Sequence, residues 1–514
     1  MTQGKIKQAL EQCQQFAQHN PTNLQAWYIL SDLFLRCNMT AQALVSINKA
    51  QILDNSQPQI QILKIQCLLL NGDPSQALII ANALFDKKPV LMGKDWLSLG
   101  FNFHQLNVIK SAHHCFEKAI EIEPNNSQYR FNLATSLRNF GELEQAHIDF
   151  NKVIALNSRD WDAYLARSEV KKATKDCNNI KQLTLLLKSN TIDTQAQIKL
   201  NFAKAKEQED CHHYSDSYSS LKKANNFRNS LTKYDVEHDI KAMQCIIDTY
   251  SIDLTIKQTS GCSNDEPIFI VGLPRTGTTL LERIIGQHCD VFSAGELNNF
   301  PANLTRQLTE NTEEKITSKL DLIKRSAELN FENLGQQYIN STKLLTGNSA
   351  RFIDKMPLNF LYVGLIQKAL PKAKIIHLTR NPMATCYAIY KTNFNQAYPF
   401  SYDLNNLAKY YIAYSNLMKH WKQANPQNFL EVSYEQLVNS TEEIGRKVFN
   451  FLELKWQVDY VNLENNKQAS STASSAQIRG KIYNSSIDLW KNYKSQLETL
   501  REQLEQAGIY SDKC

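Results

Sequence analysis

Long apolar runs are missing from this sequence. None of its 514 residues lies in a stretch of about 18 consecutive apolar side chains, the length that a membrane-spanning helix needs. Residues 1–20 are polar and rich in glutamine, and they lack the apolar core of a signal peptide. The sequence therefore predicts a protein that has no membrane span and is located in the cytoplasm.

Cysteine-pair motifs are missing as well. The eleven cysteines are scattered, odd in number and never spaced as C-x-x-C. This pattern favours reduced thiols over a disulfide framework or a zinc site. The sequence CHH at 211–213 is more typical of a polar loop between helices than of a metal site. We therefore expect no metal.

A large excess of charge of one sign is also missing. The formal net charge is +6 over the whole chain, and no run of lysine and arginine marks a nucleic-acid-binding tail. This mild balance suits an anionic small ligand. We expect no nucleic-acid partner.

The N-terminal half does contain a repeat. Alanine recurs at positions 9, 43, 77, 112 and 146, at spacings of 34, 34, 35 and 34 residues, which is the tetratricopeptide (TPR) period. The best units run from about 94 to 123 and from 127 to 156. Because one unit cannot bury its apolar face alone, the units are expected to stack into an all-α solenoid with a concave face. That face favours a peptide or protein partner, and support of a neighbouring domain explains the repeat equally well.

Strand and helix signals alternate from residue 266 onward. The patterns predict strands at 268–271, 374–379 and 429–433, and helices at 360–370, 404–422 and 441–452. This alternation is typical of an α/β domain with a parallel sheet covered on both faces. Ligands of such sheets bind at the carboxyl ends of the strands, so segments following the three strands are expected to meet at one site.

A glycine-bracketed loop, GLPRTGTT at 272–279, follows the first of these strands. A strand, a glycine turn and a helix N-terminus together cradle a phosphate, because backbone N–H groups and the helix dipole favour an anion. A nucleoside triphosphatase needs lysine after the second glycine, whereas Thr278 stands there and the cation is Arg275. The loop therefore predicts a phosphate-like ligand and opposes a P-loop kinase or hydrolase.

The part PRTGTT at 274–279 resembles the 5′-phosphosulfate loop of sulfotransferases that use 3′-phosphoadenylyl sulfate (PAPS). The closest branch contains the tyrosylprotein sulfotransferases and the bacterial TPR sulfotransferases. The resemblance implies a P-loop-like sulfotransferase domain at 261–514, after a TPR solenoid at 1–170 and a helical TPR-like continuation and linker at 171–260. It also implies PAPS as co-substrate and no metal, since cationic side chains supply the charge that Mg²⁺ supplies in kinases.

The same resemblance implies the catalytic residues. Glu296, in SAGEL, falls where tyrosylprotein sulfotransferases carry their catalytic glutamate, and a carboxylate can take the proton of an attacking hydroxyl. Lys355, in DKMP, matches the family's Lys-x-Pro element. With Arg275 it would stabilise negative charge in the transition state. Glu282 is expected to be solvated or structural.

The nucleotide contacts implied by the resemblance follow the second and third predicted strands. Arg380 would grip the 3′-phosphate of PAPS, and Tyr434, in YEQL, would contact the nucleotide. The serine that the family places eight residues after this arginine is Ala388 here, so one hydroxyl donor is missing unless Thr385 or a nearby group substitutes. The basic residue expected at twelve is Thr392, with Lys391 beside it.

A later segment resembles the one that folds over the cofactor. Ser474 takes the position of a serine that contacts the transferring group, and Lys491 follows a tryptophan there. The predicted cofactor-binding residues are Arg275, Thr276, Gly277, Thr278, Thr279, Arg380, Tyr434, Ser474 and Lys491, and the predicted catalytic residues are Glu296, Lys355, Arg275 and Ser474.

The predicted function is transfer of a sulfuryl group from PAPS to an acceptor hydroxyl. A peptide or protein tyrosine is the favoured acceptor. Carbohydrate and small-molecule hydroxyls and amines stay open, because acceptor pockets are built from variable loops such as 393–403. The alternative function is a non-catalytic TPR scaffold with a degenerate nucleotide-binding sulfotransferase domain.

Overall fold

A computed structural model describes residues 3–189, 191–252, 261–310, 316–424, 426–463, 482 and 484–511. The chain forms two compact units. The first unit holds the residues up to Ser136 together with 299–306 and 338–347, and the second holds the rest. The domain boundaries given above, at 170 and 260, stay a prediction.

Helices precede the sheet throughout the described N-terminal part. They are α1 (Gln3–His19), α2 (Leu24–Arg36), α3 (Thr40–Leu53), α4 (Pro58–Leu70), α5 (Pro74–Asp86), α6 (Gly93–Gln105), α7 (Ile109–Ile122), α8 (Ser127–Phe140), α9 (Leu143–Leu156), α10 (Trp161–Val170), α11 (Ile180–Leu187), α12 (Thr194–Asp210), α13 (Tyr214–Ser230) and α14 (Val236–Thr249). The pairs α6–α7 and α8–α9 match the two best repeat units, so the predicted TPR architecture is confirmed.

Close helix approach explains the small residues of the repeat. Ala43, Ala77 and Ala112 are 0%, 0% and 1% exposed, respectively. On α6, a Cβ added at Gly100 would lie 2.5 Å from the ring of Phe116 on α7. A larger side chain there would force the two helices apart, which is the packing reason for the period.

The second unit contains a five-stranded sheet in the order β2-β3-β1-β4-β5. The strands are β1 (Pro267–Val271), β2 (Val291–Ser293), β3 (Arg351–Asp354), β4 (Lys374–Thr379) and β5 (Phe429–Ser433). Every neighbouring pair is parallel. The three predicted strands correspond to β1, β4 and β5, and the predicted parallel sheet is confirmed. The strands β2 and β3 were not predicted, because three and four residues are too few for a periodic pattern.

Further helices follow β1 along the chain, and parts of two of them, at 299–306 and 338–346, belong to the first unit. They are α15 (Thr278–Ile285), α16 (Asn299–Glu310), α17 (Lys319–Ser326), α18 (Phe331–Thr346), α19 (Val363–Ala369), α20 (Pro382–Tyr390), α21 (Leu404–Ala424), α22 (Tyr434–Asn439), α23 (Thr441–Phe451) and α24 (Glu498–Gln506), with 3₁₀ turns at Pro357–Tyr362, Pro399–Tyr402, Val458–Val461 and Leu489–Tyr493.

Both faces of the sheet are covered. Ile268 and Ile270 of β1 belong to an apolar cluster with Ile284 of α15 and Phe449 of α23. On β4, the His377 imidazole lies 2.6 Å from the hydroxyl of Tyr414 on α21. Because both faces of the sheet are covered, the side chains that point to either face are buried. The sequences of these strands are therefore continuously apolar.

Candidate active site

The carboxyl ends of the strands collect most of the predicted site residues at one edge of the sheet. Since all neighbouring pairs are parallel, the segments that follow the strands emerge on the same side. Loop 272–279 follows the central strand β1. Lys355 and Glu296 follow β3 and β2 on one side of it, and Arg380 and Tyr434 follow β4 and β5 on the other.

The glycine loop has a backbone that only glycine can adopt at its second turn. Gly277, the N-cap of α15, has φ 100°, and a Cβ there would lie 2.4 Å from the ring of Tyr434. The Thr276 hydroxyl donates to the Leu273 carbonyl at 2.8 Å and braces the turn. The Gly277 carbonyl accepts from the N–H groups of Leu280 and Leu281, so the loop leads directly into the N-terminus of α15. The positive end of the helix dipole lies there and favours an anion.

Arg380 is held by backbone carbonyls and by an aromatic ring. Its guanidinium donates to the carbonyl oxygen of Arg275 at 2.9 Å and to that of Ser486 at 2.5 Å. It also lies over the Tyr434 ring, 4.8 Å from the centroid. The Tyr434 and Ser486 hydroxyls are 3.0 Å apart. These contacts join the ends of β1, β4 and β5 to the C-terminal segment.

Lys355 is enclosed by two carboxylates. Its side chain is 1% exposed, and its Nζ lies 2.5 Å from Oε1 of Glu296 and 3.8 Å from Oε2 of Glu282. Ser293, at the end of β2, donates to Glu282 at 2.6 Å. Glu282 is therefore buried and structural, not solvated. Glu296 is 39% exposed and is the carboxylate of the pair that another molecule can reach.

A cavity of about 890 Å³ lies along the β1–β4–β5 side of this edge. The predicted cofactor-binding residues that line it are Arg275, Gly277, Thr279, Arg380, Tyr434 and Lys491. Ala388 also lines it, so the position without a hydroxyl faces the ligand space. Lys491 forms an ion pair with Asp488 at 2.8 Å. Ser474 lies outside the described residues.

The loop 393–403 carries an aromatic cluster, and the charge of Glu296 affects the pKa of one of its tyrosines, Tyr398. Tyr398 has a left-handed backbone with φ 51°, and its ring centroid is 4.9 Å from that of Phe394. Burial, and secondarily the charge of the Glu296 carboxylate, raises the pKa of the Tyr398 phenol. The loop therefore lies within electrostatic reach of Glu296.

Sequence reasoning missed the residues that hold the predicted ones in place. Ser486 supports both Arg380 and Tyr434, and Glu209 binds Lys391 from α12. No local pattern points to Glu209, because 182 positions of sequence separate it from Lys391. Ser293 of β2 was detectable only as the first residue of the SAGEL element.

No helix within the described ranges is long and apolar enough to cross a membrane.

Comparison with known proteins identifies two kinds of module. Residues 267–458 match the sulfotransferase family, and residues 115–148 match the tetratricopeptide repeat. An uncharacterized protein of Aquifex aeolicus (strain VF5) is 29% identical, over 72% of this chain and 49% of its own length. Protein-tyrosine sulfotransferase A of Caenorhabditis elegans is 26% identical, over 39% of this chain and 54% of its own length. The matches thus span about half the length of these two curated relatives.

Among solved structures, the sulfotransferase domain from the curacin biosynthetic pathway is similar over 48% of this chain and 99% of its own, with 18% identity and a TM-score of 0.32. The sequence matches support sulfuryl transfer in general terms. The chain combines tetratricopeptide repeats with a sulfotransferase-family domain that resembles the protein-tyrosine sulfotransferases.

Proposed function

We propose that this protein transfers the sulfuryl group of PAPS to an acceptor hydroxyl. The observation that carries the proposal is the convergence of Arg275, Arg380 and Tyr434 on one cavity of about 890 Å³. A cavity of that volume is of the size typical for a small-molecule or cofactor ligand. Its glycine loop and guanidinium groups suit the two phosphate-bearing ends of a 3′-phosphorylated nucleotide.

In this proposal, Glu296 is the general base. It is the more exposed of the two carboxylates beside Lys355, so it can receive the proton of an acceptor hydroxyl. As the acceptor oxygen bonds to sulfur, the bond from sulfur to the phosphate oxygen breaks. The Lys355 ammonium, released from the neutralised Glu296, and Arg275 then stabilise charge on the sulfuryl oxygens and the leaving phosphate.

The nucleotide is held on the other side of β1. Arg380 is assigned to the 3′-phosphate, the first turn of α15 with Thr276, Gly277, Thr278 and Thr279 to the 5′-phosphosulfate, and Tyr434 to the nucleoside. Lys491, which lines the cavity, and Ser474 are assigned to ligand contact. Support comes from the guanidinium of Arg380, which is pre-oriented by two carbonyls and the Tyr434 ring.

A tyrosine of a peptide or protein is the proposed acceptor. The sequence similarity to protein-tyrosine sulfotransferases supports this class, and so does an aromatic loop whose Tyr398 is within electrostatic reach of Glu296. The TPR repeats are proposed to bind the protein that carries the tyrosine. The KM for a protein acceptor should then be lower than the KM for a short peptide containing the same tyrosine.

Titration calorimetry with 3′,5′-adenosine bisphosphate, with ADP as control, tests the nucleotide assignment. The proposal predicts tighter binding of the bisphosphate, because Arg380 contacts a group that ADP lacks. Equal affinity, or no binding of either nucleotide, would contradict it and favour a scaffold with a degenerate nucleotide site.

A further inference from the structure

Helix α12, far from the sheet in sequence, places a carboxylate in the wall of the nucleotide cavity. Glu209 lies in the last turn of α12 and lines the cavity with Lys391 and Tyr387. Its carboxylate accepts from the Lys391 ammonium at 2.5 Å and from the Tyr493 hydroxyl at 3.0 Å. The Tyr387 hydroxyl is a third donor. Glu209 therefore joins α12 to the end of α20 and to the C-terminal segment.

This carboxylate is ionised and enclosed. The Glu209 side chain is 13% exposed and that of Lys391 is 22% exposed. Burial acts to raise the pKa of Glu209, but the Lys391 ammonium and the donated hydrogen bonds outweigh burial and lower it. The pair thus presents almost no net charge to the cavity, although Lys391 is a cation.

Lys391 lies on the same side of α20 as Ala388, the position at which the family's serine hydroxyl is missing. Ala384, Tyr387, Ala388 and Lys391 all line the cavity, at the spacing i, i+3, i+4 and i+7. Residues at this spacing share one helix face. Arg380 precedes the helix, so the face runs from a guanidinium at one end to the Lys391–Glu209 pair at the other.

We propose that Glu209 is a specificity-determining residue: by neutralising Lys391, it limits the preference of the cavity for a phosphate over a hydroxyl at the ribose 3′ position. This inference rests on the proposed nucleotide function. A phosphate monoester carries about two negative charges near neutral pH. Arg380 balances one of them, and Lys391 can balance the second only by leaving or sharing Glu209.

The test is calorimetry of the full-length chain with 3′,5′-adenosine bisphosphate and with ADP. The measured quantity is the ratio of the ADP dissociation constant to that of the bisphosphate. Glu209→Gln should raise this ratio about tenfold to a hundredfold, the size of one hydrogen bond to a charged group, and should change the ADP constant less than about twofold. The matched control is Glu169→Gln, which removes the same charge from the cavity wall, where Glu169 pairs with Arg138 at 3.0 Å. It should leave the ratio within about twofold.

Lys391→Gln removes the other partner of the same ion pair, and it provides the test if the Glu209→Gln variant does not fold. It leaves the Glu209 carboxylate facing the ligand without its cation, so the ratio should fall about fivefold or more. A ratio that is unchanged in both variants would overturn the inference and leave the nucleotide function standing. A wild-type protein that binds neither nucleotide would overturn both.

Discussion

Two lysine–glutamate pairs flank the central strand, and they differ in which partner is more exposed to solvent. On the β2–β3 side, Lys355 is 1% exposed and Glu296 is 39% exposed. On the β4–β5 side, Glu209 is 13% exposed and Lys391 is 22% exposed. The N–O distance is 2.5 Å in both pairs.

The surroundings of the two carboxylates explain the difference. Lys355 has a second carboxylate, Glu282, at 3.8 Å, so Glu296 can be neutralised without leaving a buried ammonium alone. Glu209 instead collects two tyrosine hydroxyls besides its lysine and serves three elements at once. The Lys355–Glu296 pair therefore suits proton transfer. The Lys391–Glu209 pair suits stabilisation of the fold and selection of the ligand.

Removal of Lys355 should have the largest effect. Lys355→Met leaves Glu282 and Glu296 without their shared cation and removes the proposed stabilisation of the leaving phosphate. Turnover should fall by about 10³-fold, measured as the sulfated product formed per minute by protein that circular dichroism shows to be folded.

Lys374→Met is the matched control for this change. It breaks a lysine–glutamate pair at the opposite end of β4, where Glu453 is 68% exposed. Its turnover should stay within about twofold of wild type. Equal losses in both variants would remove the distinction between a catalytic and a peripheral pair.

The loop between the two pairs should tolerate no side chain at Gly277. Gly277→Ala combines a left-handed backbone with a contact at 2.4 Å to the Tyr434 ring, so the free energy of unfolding should fall by about 2–4 kcal/mol. Gly508 has φ 67°, and no atom lies within 4 Å of a Cβ added there. Gly508→Ala should therefore lower the free energy of unfolding by only about 1 kcal/mol. Denaturant unfolding of both variants separates the cost of the backbone from that of the clash.

The second pair should make stability depend on pH. The pKa of Glu209 is lowered in the folded protein, so its charge stabilises the fold above the unfolded pKa of about 4.3, and this contribution is lost as the pH falls through the lower folded value. Glu209→Gln should therefore lower the free energy of unfolding by about 1–3 kcal/mol at pH 6, and by less at pH 3.5. If the difference in free energy of unfolding between wild type and Glu209→Gln is as large at pH 3.5 as at pH 6, the charge of Glu209 does not stabilise the fold.

The smallest predicted effect comes from restoring the missing hydroxyl. Ala388→Ser places a donor on the cavity face of α20 and should tighten the bisphosphate about threefold to tenfold by calorimetry, with ADP nearly unchanged. Ala384→Ser puts the same hydroxyl one turn earlier and should have less effect. If the two variants behave alike, Ala388 does not mark the position of the 3′-phosphate.

The sequence predicted the features that local patterns carry. The TPR period, the strands β1, β4 and β5 and the parallel sheet were all readable, since each rests on a run or a spacing of apolar residues. The assigned roles of Glu296, Lys355 and Arg380 came from motif resemblance and stay predictions. Their placement at one edge follows from the all-parallel topology.

The rest depends on contacts between distant segments. The strands β2 and β3 are too short to show a period, although they position Glu296 and Lys355. Glu282 occupies a polar position in the sequence of the amphipathic helix α15. Only the fold shows that Ser293 and Lys355 lie against it. Glu209 meets Lys391 only because α12 packs beside the cavity, which no short window of sequence can report.

The most direct test of the central claim is sulfuryl transfer from radiolabelled PAPS to a tyrosine peptide by wild type and by Glu296→Gln, with bisphosphate affinity measured on the same samples. We expect labelled peptide from wild type, at least about 10²-fold less labelled peptide from the variant, and equal nucleotide affinity in both. Wild-type turnover in the variant would contradict the assignment of Glu296 as the base. Nucleotide binding without transfer to any hydroxyl acceptor would contradict the enzyme itself.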